Sequence, residues 1–151
     1  MKRIVIAIII LVLTGCDFSG YHSKDVGSVI GKEVRSSGTK EIDLAEIVPF
    51  TWDELYLFDP YTPASEVCKV LNIPINKCSM VIDDKSMDDG EMYMVFMLIG
   101  TIVHKEIYFS LNGEFTNYPK PIKVDKSKFI VADKGQKTLF GKPWLELVPV
   151  G

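Results

Sequence analysis

The chain has only two histidines, His22 and His104, and three cysteines, Cys16, Cys68 and Cys78, with no Cys-x-x-Cys among them. A zinc site built from paired thiolates and imidazoles is therefore not expected. No serine stands in a Gly-x-Ser-x-Gly turn, and neither His-Glu-x-x-His nor a glycine-rich phosphate loop occurs. The common signatures of serine hydrolases, zinc proteases and nucleotide-binding folds are thus missing. No excess of basic charge is present either: 17 basic residues face 20 acidic ones, a net charge of −3, which argues against nucleic acid as a partner. No cofactor motif is found. Long apolar runs are also lacking. Ile4 to Leu13 is unbroken, but a membrane span needs ~20 such residues, and ~10–14 is the length of a secretory leader's apolar region. There are no internal repeats and no low-complexity tract.

What the N-terminus does contain is specific. Lys2 and Arg3 precede the apolar run, and the small pair Thr14-Gly15 leads directly into Cys16. A positive start, a short apolar segment and small residues before a cut site make a secretory signal. Ala-x-Ala, the mark of an ordinary cleavage site, is absent. Leu13-Thr14-Gly15-Cys16 resembles the lipobox of bacterial lipoproteins. That resemblance implies that residues 1–15 are removed, that the Cys16 thiol carries a diacylglycerol, and that the freed amine is acylated, commonly with palmitate. Each buried methylene contributes ~0.8 kcal/mol and stable anchoring takes more than one chain, so an acylated Cys16 anchors without a membrane-spanning segment. Asp17, directly after that cysteine, resembles the inner-membrane retention signal of enterobacterial lipoproteins. It implies a location on the periplasmic face of the inner membrane, or the outer membrane where Asp17 is not read as a retention signal.

Without residues 1–15, 15 basic residues remain against 20 acidic, a net charge of −5. Residues 16–32 are polar and glycine-dotted, which reads as a lipidated flexible tether; residues 33–151 suffice for one globular periplasmic domain. Cys68 and Cys78 form an even pair in an oxidising compartment, so a disulfide is expected over two buried thiols.

Within the domain the patterns predict an α+β fold: a small antiparallel sheet of about five or six strands with one main amphipathic helix. Asp43-Leu44-Ala45-Glu46 has capping-box spacing, with Pro49 limiting it to about a turn. Residues 52–58 read as a strand ending at Asp59-Pro60. Thr62 as N-cap and Pro63 as first helical residue open a helix over 63–72, with Ala64, Val67, Cys68 and Leu71 on its apolar face. Residues 78–82 read as a short strand. Met92 to Ile99 is continuously apolar, as a strand covered on both faces would be, and Gly100-Thr101 is the expected turn into a return strand. On that strand His104, Glu106 and Ser110 are assigned to a solvent-facing side, with Val103, Ile107, Phe109 and Leu111 opposite. Asn112-Gly113 marks a turn; residues 128–132, 138–140 and 144–148 complete the strands.

Chemistry-bearing candidates are few. His104, beside Glu106, is placed for general-base work, but an exposed strand histidine is the commoner case. The acidic stretch Asp83 to Glu91 places Asp84, Ser86 and Asp88 at alternating positions like a calcium loop. It has Asp89 where that loop needs glycine and Val95 where it needs glutamate. A solvated turn is the better reading, with weak calcium binding, or contact of Asp84, Asp88 and Asp89 with a basic protein, as the alternatives. Trp52 and Tyr61, in a cluster with Phe50, Tyr56 and Phe58, are candidates to line a groove. The segment from Trp52 to Thr62 is similar to one found in small bacterial lipoproteins of obscure function, including prophage-borne inner-membrane lipoproteins of enterobacteria. That similarity implies no catalytic residues. The expectation is a non-enzymatic, lipid-anchored envelope binding module. The alternatives are an immunity or inhibitor protein against a periplasmic toxin, and a hydrolase using Asp83, Asp84 or Asp88.

Overall fold

The computed structural model describes residues 25–36, 38–82 and 88–151. Among these residues the fold is α+β, with eight strands in two four-stranded sheets and four α-helices. Helix α1 (Val26–Val34) comes first, then β1 (Glu41–Asp43), α2 (Leu44–Ile47), β2 (Glu54–Phe58), α3 (Ala64–Val70) and α4 (Ile75–Val81). Strands β3 (Glu91–Leu98), β4 (Thr101–Phe109), β5 (Glu114–Phe115), β6 (Ile122–Lys123), β7 (Lys128–Lys137) and β8 (Pro143–Pro149) follow. One sheet runs β1-β7-β8-β5 and the other β4-β3-β2-β6. Among the described residues no helix is long and apolar enough to cross a membrane.

The central strand β3 explains the architecture. Met92, Met94 and Phe96 point into one core, shared with Leu55 and Leu57 of β2, Phe129 of β7, Leu147 of β8 and Ile30 of α1. Tyr93, Val95 and Met97 point the other way, into a second core closed by Val67, Leu71, Cys78 and Ile82 of the α3–α4 region. A strand buried on both faces needs no polar alternation, which is why residues 92–99 read as one apolar run. Cys68 and Cys78 are joined by a disulfide that ties α3 to α4.

Several expectations are corrected. The sheet is not single, and the sheets are not wholly antiparallel: after the turn at Asn112-Gly113 the chain enters the other sheet, and β5 pairs with β8 in parallel. Strands of two or three residues such as β1, β5 and β6 are too short to leave a periodic signal. Residues 25–32, read as tether, are the capped start and body of α1, and Val26 and Ile30 are fully buried. The glycines that suggested flexibility permit close packing instead. A Cβ on Gly27 would stand 3.1 Å from the Tyr108 ring, and one on Gly31 would stand 2.4 Å from Asn112 Oδ1. Residues 78–82, read as a strand, belong to the end of α4. Pro63, not Thr62, is the N-cap of α3; Thr62 Oγ1 donates to the Asp59 carbonyl at 2.7 Å. The β3–β4 turn is Ile99-Gly100, one residue earlier than expected, with positive φ at both positions (48° and 71°) as a primed hairpin turn requires. Thr138 to Phe140 is the tip of the β7–β8 hairpin rather than a strand.

Candidate functional site

Cys16 and Asp17 lie outside the described residues, as do Asp83 and Asp84. Asp25, nine residues after Cys16, caps α1: Oδ1 accepts the Ser28 amide at 3.1 Å and Oδ2 the Ser28 hydroxyl at 2.7 Å. These bonds to the charged form, the Ser28 hydroxyl's first, hold the Asp25 carboxyl below its ordinary range.

His104 and Glu106 do not face solvent. A bulge near residue 103, where the β3–β4 register slips, turns His104, Glu106 and Tyr108 inward opposite Phe96, Met94 and Met92. The His104 side chain is 10 % exposed, and its ring packs at 5.1 Å from that of Phe50. Its Nε2 lies 2.5 Å from Glu106 Oε2. The same carboxylate accepts the amides of Val26 at 3.0 Å and Gly27 at 2.6 Å. Glu106 therefore satisfies two of the open N–H groups of α1 and meets its positive end. Its two oxygens serve three partners, an arrangement that holds a helix in place. Beneath it Tyr108 is wholly buried and donates to the Gly113 carbonyl at 2.6 Å. Burial, then the nearby Glu106 charge, raises the Tyr108 hydroxyl well above its usual range.

Asp88 and Asp89 are exposed at the entrance of β3. The Asp88 amide donates to Glu91 Oε2 at 2.9 Å, and the Asp88 carbonyl accepts the Glu91 amide at 3.0 Å. Across from them stands Tyr61, whose hydroxyl donates to Asp89 Oδ1 at 3.1 Å. That bond, which the phenolate could not make, raises the Tyr61 hydroxyl above its ordinary value. Tyr61 is 63 % exposed and its backbone is left-handed, φ 64°. Such a conformation is costly for a bulky side chain. Asp59, just before it, pairs with Lys120 at 3.3 Å. The result is an exposed aromatic ring set among carboxylates. Trp52, the other groove candidate, is a core residue packed edge-on against Phe96 at 5.2 Å. Val95, at the calcium-loop position, is fully buried. No group of three or more potential metal ligands occurs among the described residues.

Sequence reasoning named Tyr61 and Asp89 separately but missed their contact, because they are 28 residues apart and join only when β2 pairs with β3. It also placed Leu139 and Phe140 in a strand, whereas both stand exposed at a hairpin tip. Comparison with family models, with curated proteins and with solved structures found no match.

Proposed function

We propose that the protein is a lipid-anchored envelope lipoprotein on the periplasmic side of the inner membrane, and that its domain is a non-enzymatic binding module for a basic protein. The anchor rests on the leader, Cys16 and Asp17. The observation that carries the binding reading is Tyr61, held exposed in a left-handed backbone and bonded to Asp89 beside Asp88. Tyrosines with one apolar face and one polar tip are favoured anchors at interfaces. The surrounding carboxylates would steer a positively charged partner and lose that effect as salt rises. Glu106, a largely buried carboxylate beside His104, is engaged in capping α1, which favours binding over hydrolysis.

Lipidation, sorting, capture of a partner and hydrolysis each give a measurement that tests this reading. Labelled fatty acid should enter the wild type and not Cys16→Ser, which should accumulate uncut, and Asp17→Ser should move the protein toward the outer membrane. The immobilised protein should retain a basic envelope protein at low ionic strength. The triple change Asp84→Asn, Asp88→Asn, Asp89→Asn should release it while leaving the melting temperature unchanged. Retention indifferent to both salt and the triple change would make the turn only a solvated loop. Loss of a measurable hydrolysis of envelope material in His104→Ala would replace binding with catalysis.

A further inference from the structure

Strands β7 and β8 form the longest ladder of their sheet, and its far end carries an apolar tip. The pairing runs from Phe129 opposite Pro149 to Asp133 opposite Leu145, slips, and resumes at Lys137 opposite Pro143. The turn beyond is closed by the Thr138 amide to the Lys142 carbonyl at 2.8 Å and the Gly141 amide to the Thr138 carbonyl at 2.9 Å. On it Leu139 is fully exposed and Phe140 is 78 % exposed. Turn tips are ordinarily polar, so two large apolar side chains side by side on a hydrogen-bonded turn are costly to leave in water.

The charge around them has one sign. From Lys134 to Lys142 the chain carries three lysines and no acid. Lys134 is bound by Glu114 at 3.1 Å and Glu146 at 3.2 Å, whereas no ion pair among the described residues engages Lys137 or Lys142. At the hairpin base a groove of about 420 Å³ places Lys142 with Arg35, Val34 and Leu145. The Arg35 guanidinium donates there to the carbonyls of Leu111 and Pro143.

We propose that this hairpin tip is a second membrane contact, in which Leu139 and Phe140 enter the interface of an anionic phospholipid bilayer while Lys137 and Lys142 meet its phosphates. The proposal takes its membrane location from the anchor reading above, but not from the acidic turn. An apolar pair with basic flanks suits the headgroup–acyl boundary, where apolar burial and attraction to anionic lipid act together. It is too small for a stable protein interface, which covers ~800 Å² per partner. Chain length does not prevent the contact: nine residues from Cys16 to Asp25 can extend at most about 30 Å, so an anchored domain stays close to the bilayer.

The test uses the full chain, processed in bacteria and reconstituted in phosphatidylglycerol-containing vesicles, with a nitroxide on Leu139→Cys. A second label on Lys126→Cys sits before the opposite end of β7. Mass spectrometry of the same sample reads acylation of Cys16 separately, so failure of the anchor and failure of the hairpin contact are distinguished. At Leu139 the collision rate with oxygen should rise severalfold and that with a polar nickel complex fall severalfold when vesicles are present, with no change at Lys126. Removing the anionic lipid, or making Lys137→Gln with Lys142→Gln, should return the tip toward water. An acylated protein whose Leu139 label stays aqueous overturns the proposal. Equal depth in neutral and anionic vesicles overturns the anionic-lipid assignment, and a label that is dry before vesicles are added, in a concentration-dependent way, assigns the tip to a second copy of the chain instead.

Discussion

The carboxylate of Glu106, on the edge strand β4, accepts the backbone amide of Gly27 at 2.6 Å across 79 residues of sequence. This bond docks the first helix of the domain onto the sheet. The Val26 amide and His104 share the same carboxylate, so removing it strands several partly buried polar groups at once. Glu106→Ala should cost about 3 kcal/mol, and Glu106→Gln about 1 kcal/mol, since the amide keeps one acceptor but turns a donor toward the helix end. Denaturant unfolding gives these magnitudes. Hydrogen exchange over Val26–Val34 should accelerate in both variants; unchanged exchange there would mean that α1 is held by other contacts.

Gly31 offers a test of opposite intuition. In a helix interior, glycine to alanine normally stabilises by ~1 kcal/mol. Here the added Cβ would stand 2.4 Å from Asn112 Oδ1 and 3.1 Å from its Cβ. Gly31→Ala should therefore destabilise, by about 1–2 kcal/mol. In an Asn112→Gly background the same change should stabilise by about 1 kcal/mol. A double-mutant cycle with no coupling would remove this contact from the account.

These two sites also show where the sequence could be read and where it could not. The two-sided burial of β3 is visible as an apolar run, and the α3 helix and the Cys68–Cys78 pair follow from local spacing and cysteine parity. The nature of α1 is not visible. Gly27 and Gly31 look like tether residues in isolation and become a packing face only against Tyr108 and Asn112, which lie far along the chain. His104 and Glu106 alternate like exposed residues, but the bulge beside them turns them inward, and a one-residue slip exchanges the faces of a strand. Likewise the turn at Asn112-Gly113 is legible, while the change of sheet that follows it depends on β8 being there to receive β5.

Alkaline titration should separate the partly buried Tyr118 from the fully buried Tyr108. Burial, then Asp59, pushes the Tyr118 hydroxyl up to about 12, and Tyr108 is raised further by burial and Glu106. A folded-state pKa above the unfolded value of ~10 means that the folded form keeps its proton where the unfolded chain releases it. The associated stability is present below about pH 10 and is lost as pH rises beyond that value. Phenolate absorbance should show exposed tyrosines ionising first and Tyr108 only with cooperative unfolding by circular dichroism. Tyr108→Phe, which loses the bond to Gly113, should be less stable by about 1–2 kcal/mol at neutral pH yet lose stability less steeply above pH ~10. Equal slopes would contradict this assignment.

Tyr61 carries backbone strain that its exposed ring does not offset by packing. Tyr61→Gly removes a left-handed conformation costing about 1 kcal/mol for a side chain, at the loss of one exposed hydrogen bond. The fold should be as stable or slightly more stable, while retention of the basic partner should fall roughly tenfold. A loss of more than about 1 kcal/mol in stability, well outside the strain relief expected, would mark Tyr61 as structural.

The most direct test is made in intact cells, with a photoreactive phenylalanine at position 61 in place of Tyr61 and, as control, at Lys126. Irradiation should give an adduct with one basic envelope protein from position 61 and none from position 126. The adduct should fade when Asp84, Asp88 and Asp89 are neutralised together and when salt is raised in isolated membranes. No adduct at position 61, or one whose yield ignores both the three aspartates and the salt, would contradict the reading of this face as the binding surface.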